Sequence, residues 1–143
     1  MSDPFLTAVS VKVVSRWRGY APLVDEMSGE HVFSRYPPPG FEFPADEHKY
    51  ITVGDKTETD IRILGTPGSS LTLMAHGWTR GIYDDGPLER MVHLMNKALE
   101  EPLVLDGYGT VVLRKELAVV MGDPDPEMRH APVRYRISTM GPA

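Results

Sequence analysis

Cysteine is absent from this 143-residue chain. That excludes disulfides, thiolate zinc sites and cysteine nucleophiles, and it suits a reducing compartment. No apolar run approaches the ~20 residues of a membrane-spanning helix, so no membrane is expected among its partners. Met1 to Thr7 lacks a basic stretch followed by an apolar one, so no signal peptide is expected. Internal repeats and low-complexity tracts are also missing. The signatures of chemistry are equally sparse. There is no His-Glu-x-x-His and no Gly-x-Gly-x-x-Gly, and Gly65 to Ser70 lacks the Gly-Lys-Ser/Thr close of a phosphate loop. Gly122-Asp123-Pro124-Asp125-Pro126-Glu127 is acidic but lacks the spacing of a calcium loop, and its two prolines read as a rigid turn. His76 lies on an alternating strand with no serine in a strand-to-helix elbow to serve as its nucleophile. His93 stands four residues from both Glu89 and Lys97, an ordinary helix-surface pattern. His31, His48 and His130 fall in or beside loops. No catalytic residue, metal or cofactor is expected, and the chain does not read as an enzyme.

What is present begins with charge. The formal net charge is −5, but it is unevenly spread. Residues 1–24 hold three basic residues against Asp3, whereas residues 25–60 hold nine acids against Arg35, Lys49 and Lys56. The acidity therefore belongs to one segment. A nucleic-acid-binding module would show a basic patch instead. The plain reading of that segment is a solvated face.

Residues 71 to 139 are the most informative stretch. Leu71, Leu73 and Ala75 alternate with Thr72, Met74 and His76, the period of a half-buried strand that Trp78, Thr79 and Arg80 close. Asp84-Asp85-Gly86-Pro87 opens a helix, with an Asp as cap and Pro in the first turn. Leu88, Met91, Val92, Met95 and Leu99 share one face of it. Strands follow at Thr110–Met121 and Val133–Thr139. Upstream, Phe5, Leu6, Val9, Val13 and Trp17 repeat at helical spacing between Asp3-Pro4 and Gly19, which predicts a helix over 4–18. The run Val9, Val11, Val13, Val14 also allows a strand, because β-branched residues lower helix propensity. Ala21 to Met27 adds one or two helical turns. His31–Ser34 is a short strand. Pro37, Pro38, Pro39 and Pro44 make 36–47 a long loop, and Phe41 and Phe43 argue against its being disordered. Tyr50–Val53 reads as a strand stopping at Gly54-Asp55. Ile61–Leu64 reads as another, ended by the turn Gly65-Thr66-Pro67-Gly68.

One length stands out. A straight strand from Thr110 to Met121 at ~3.4 Å per residue spans roughly 40 Å, more than the diameter of about 37 Å expected for a compact chain of this size. Either it bends near Arg114-Lys115-Glu116 or one end projects toward another chain.

Several stretches, taken in order, resemble the small tail-terminator (tail-completion) proteins of long-tailed phages. They are Tyr50-Ile51-Thr52-Val53-Gly54-Asp55, the strand Leu73–Trp78 with Thr79-Arg80, the helix closing on Lys97-Ala98-Leu99, and Arg129-His130-Ala131-Pro132-Val133-Arg134-Tyr135-Arg136-Ile137. With the first helix the resemblance spans about residues 4–140, within a single domain over 1–143. Two departures are Lys49, where the family often has proline, and the long proline-rich loop at 36–47. The resemblance implies an α+β fold: a mixed, mainly antiparallel sheet with the N-terminal and central helices packed on one face. It implies a structural virion protein assembled in the host cytoplasm and placed at the head-proximal end of the tail. There it would form a ring with copies of itself, commonly hexameric, that caps the tail tube and ends its growth. Its partners would be the major tail-tube protein and a head-completion or neck protein, with DNA passing through unbound. Subunit or tube contacts are then expected at Tyr50, Asp55, Trp78, Arg80, Arg114, Lys115, Arg129 and His130. An acidic lumen or rim is expected at Glu42, Asp46 and Glu47. The competing readings are another phage neck or head-completion protein, and a small ligand-binding or enzymatic α/β domain.

Overall fold

The computed structural model describes residues 4–44, 46–63 and 66–139. The first helix, α1 (Phe5–Arg18), forms as its spacing predicts. Phe5, Val9, Val13 and Trp17 fall on one stripe and are buried, and Arg16 and Arg18 complement the negative end of the helix dipole. Fixing side chains so that one face is buried outweighs the weak helix propensity of its valines. A second helix, α2 (Ala21–Met27), has Pro22 in its first turn and closes on Ser28 in the left-handed conformation at φ 60°. The strand β1 (Val32–Ser34) follows.

Two long strands come next, β2 (His48–Ile63) and β3 (Thr66–Arg80). The expected stop at Gly54-Asp55 does not occur. Tyr50–Val53 and residues 61–63 belong to one strand, whose register against β3 shifts between Val53 and Lys56. The sequence marks a bulge there rather than an end. Glycine is needed at 54 because a Cβ would stand 2.8 Å from His76 Nε2 and 3.3 Å from the Met74 carbonyl. Leu64 and Gly65, part of the expected strand end and turn, lie outside the described residues. Thr66, Pro67 and Gly68, expected in that turn, pair within β3 instead.

The central helix α3 (Gly86–Ala98) buries Leu88, Met91, Val92, Met95 and Ala98. Asp85 holds the N-cap position, but it is Asp84 Oδ1 that accepts a hydrogen bond from the Gly86 N–H at 2.6 Å. The chain closes with β4 (Leu103–Leu105), β5 (Gly109–Ala118), β6 (Met121–Gly122) and β7 (Met128–Thr139). The expected Thr110–Met121 strand is therefore bent and divided. A register shift between Lys115 and Leu117 kinks β5 at Glu116, and a gap separates β5 from β6. That gap faces Pro132, whose carbonyl accepts from the Val119 N–H at 3.1 Å. Proline has no N–H to return, so the ladder breaks there. The last strand also starts earlier than its apolar pattern suggests, at Met128 rather than Val133.

The strands form one sheet in the order β1-β2-β3-β7-β5-β4, with β6 beside β7. Only β1–β2 is parallel among these pairs. The architecture is α+β as expected, with α1 and α3 on one face. Val9, Val13 and Trp17 join Leu71, Leu73, Ala75, Val133, Tyr135 and Ile137 in one core. The α1 helix touches β1 and β2 at one end of the sheet and β4 at the other, so the sheet curls around it. Trp17 is fully buried and its indole N–H donates to the Met95 carbonyl at 3.1 Å. The Tyr135 hydroxyl, whose ionisation burial pushes upward, reaches Asn96 Oδ1 at 2.8 Å. Gly77 lets α3 approach β3, since a Cβ would stand 3.1 Å from Leu88 Cδ1.

Candidate functional site

Among the described residues, the other face of the sheet carries no helix. Alternation along β3 sends Leu71, Leu73 and Ala75 inward and leaves Met74, His76, Trp78 and Arg80 outward. Register then does what periodicity alone does not. Tyr50 of β2 pairs with Trp78 of β3, and Trp78 pairs with His130 of β7, so three of the expected contact residues form one row across three strands. Their rings stand nearly parallel. Tyr50 and Trp78 centroids are 6.2 Å apart at 16°, and Trp78 and His130 are 4.0 Å apart at 9°. His130 also lies against His76 at 4.8 Å. The Trp78 indole N–H donates to Thr52 Oγ1 at 2.9 Å. Because the ring faces are used on one another, what the surface offers outward is ring edges rather than a stacking platform.

The two imidazoles are joined, His76 Nδ1 lying 2.6 Å from His130 Nε2. One nitrogen must donate and the other accept. Burial holds both histidines below their ordinary ionisation range. The nearness of His76 adds to this for His130, while Asp55 and Asp123 act weakly the other way. The expectation of a satisfied strand histidine at 76 agrees with this geometry, whereas His130, expected in or beside a loop, sits within β7. Among the described residues there is no cluster of three histidines or carboxylates able to hold a metal.

Arg80, expected at the same site, extends the row toward the β6–β7 turn. It pairs with Asp125 at 3.0 Å and Glu127 at 2.8 Å. A backbone hydrogen bond from Glu127, and then Arg80 itself, hold the Asp125 carboxyl below its usual range. Arg129 alternates to the opposite face and reaches the start of α3, 2.8 Å from Asp85. Asp55 stands at the bulge, 3.5 Å from Arg35, beside a shallow cleft of about 200 Å³ lined by Tyr36, Thr52, His76 and Trp78. Arg114 and Lys115 lie apart from all of these, on β5.

The proline-rich loop is anchored by its aromatics. Phe43 stacks on His48 at 4.2 Å and meets His31 edge-on, and Phe41 packs on Phe33 at 5.0 Å. Glu42, Asp46 and Glu47 remain exposed on that loop, whose end passes the Gly81 corner, with the Asp46 carbonyl 3.5 Å from a Cβ position there. The acidic loop thus lies next to the Arg80 end of the row. Sequence reasoning missed the role of Glu26, which bridges Lys49 and Arg90 at 2.8 Å each and ties α2 to β2 and α3. It also missed the aromatic packing around His31. Neither has a local signal, because the partners come from distant parts of the chain.

Neither a family model nor a curated protein sequence matches the chain. Among solved structures it is similar to a chain of the virion of a native gene transfer agent particle. The TM-score is 0.80 at 20% sequence identity, over 98% of this chain and 100% of that one. The fold is therefore shared from end to end.

Proposed function

We propose that the protein is a structural component of a phage-like virion, a tail terminator. It forms a ring on the finished tail tube, stops tube growth and presents a surface for head attachment. The observation that carries this reading is the end-to-end likeness of the fold to a chain from a gene transfer agent virion, matched over the full length of both. The order of motifs from Tyr50 to Ile137 supports the narrower assignment. The outer face supports assembly rather than chemistry. It presents aromatic edges and ion-paired arginines, with no nucleophile set against the histidine pair among the described residues. Assembly acts on copies of this chain, on the tail-tube protein and on a neck protein, and DNA passes without specific contact.

The test is purified protein at high concentration, alone and mixed with isolated tail tubes. Light scattering reports mass and negative-stain electron microscopy reports shape. Closed rings, free or seated on tube ends, are the expected result. Monomers that cap no tube overturn the assignment.

A further inference from the structure

Among the described residues, two stretches of strand edge are left unpaired at opposite sides of the sheet, and they differ in sign. On the first side β1 covers β2 only as far as Val53, although β2 continues to Ile63. Residues 55–60 are all exposed, whichever face they point to. Residues 55–60 contribute nothing to the core. Lys56 turns to α1 and hydrogen-bonds Ser10 at 2.9 Å, while Glu58 and Asp60 make no ion pair among the described residues. On the second side β4 pairs with β5 over Gly109 to Val111 and no further. The next position of that strand is Pro102, which has no N–H to continue the ladder. Val112 is 71% exposed. Arg114 and Lys115 are exposed as well, and make no ion pair among the described residues.

Charges on a free edge commonly serve to keep strands apart. Guarding alone does not require that the two edges carry opposite signs. Over 57–60 of β2 the unpaired charges are acidic and over 112–115 of β5 they are basic, so each of these stretches repels its own kind and attracts the other. We infer that the edge of β2 over 57–60 in one copy of this chain pairs with the edge of β5 over 112–115 in the next, extending the sheet from subunit to subunit. Such a contact joins two different surfaces, the kind that closes into a ring when repeated by rotation. The kink at Glu116 limits the ladder to about four residues on β5. A strip that short buries well below the ~800 Å² per partner of a stable interface. The pairing is therefore weak between two free copies, and ring closure or the tube is needed to hold it.

The inference rests on the ring reading above, and charge reversal separates the two. E58K/D60K makes both edges basic, and R114E/K115E makes both acidic. Each variant, shown to be folded by circular dichroism and an unchanged melting temperature, is expected to lose ring formation under conditions where the natural chain assembles. An equal mixture of the two is expected to regain it, because the basic β2 edge of one meets the acidic β5 edge of the other in alternation. Raising salt should weaken the rescued rings, as screening shortens the reach of these charges to about 3 Å at 1 M. Rings of the natural chain together with normal rings from either variant alone overturn the edge pairing and leave the ring reading intact. So does a mixture of folded variants that stays monomeric. Failure of the natural chain to form rings on tubes overturns both.

Discussion

His76 Nδ1 and His130 Nε2 share a hydrogen bond of 2.6 Å across two neighbouring strands, with the His130 ring stacked on the face of Trp78. Burial favours the neutral form of both rings, so their folded-state ionisation lies below the ordinary 6.5. In the unfolded chain they take up protons near 6.5. As pH falls through that value the unfolded state binds more protons, and stability is lost until the folded-state values are passed. The melting temperature should therefore be highest above pH 7 and decline as pH falls below 6.5, toward the lower folded-state values. In H76Q/H130Q the decline over that window should flatten. An equally steep decline in the double variant would place the proton uptake elsewhere.

Gly54 is the position that admits the His76 ring. In G54V the added side chain would meet His76 Nε2, and the ring must turn away from His130. A cost of about 1–3 kcal/mol is expected, as for other overpacked sites. Pairing it with H76A should recover part of that loss. Thermal melts of the two single variants and the double variant measure the coupling.

Glu26 has 15% of its side chain exposed and receives both Lys49 and Arg90. Burial alone would raise its ionisation, but the hydrogen bonds and charges of those two partners prevail and hold it below 4.5. Its contribution is thus present above about pH 4.5 and lost as pH falls through the lower folded-state value. E26A should cost about 1–3 kcal/mol at pH 7, the range for a hydrogen bond to a charged group with its partner left behind. E26Q should cost less. Urea melts at pH 7 and pH 4 check both the size and the narrowing of the difference on acidification.

The exposed acids Glu42, Asp46 and Glu47 lie on an anchored loop, so reversing them tests where that loop faces. If it lines the lumen or tube-facing rim, E42K/D46K/E47K should assemble normally yet slow genome ejection or retain DNA, because the wall then attracts phosphate. Particles carrying the variant that eject DNA at the normal rate would show that the loop faces outward.

How much of this was legible before the fold was known differs from element to element. The apolar stripes of α1 and α3 and the alternation along β3 are local patterns, and burial follows them residue by residue. The α+β class follows from those patterns together with the family resemblance. From the sequence alone the bulge at Gly54 looks like a strand end, because a glycine before an aspartate looks the same in a turn and in a bulge. Only the neighbouring strand, with His76 pressed against that backbone, tells them apart. Pro132 hid the first half of β7 for a similar reason. It sits inside a sheet only because the opposite strand is interrupted where an N–H is missing.

The sequence by itself determined which residues are apolar, at what period, and which chemistries are excluded, since these depend on residue type and near neighbours alone. The tertiary structure decided that Tyr50, Trp78 and His130 form one row, that Glu26 finds Lys49 and Arg90, and that, among the described residues, the edges of β2 and β5 remain open. Those are matters of register and strand order. They are set by pairings between residues dozens of positions apart, and a single-residue slip in any of them would turn the row to the other face of the sheet.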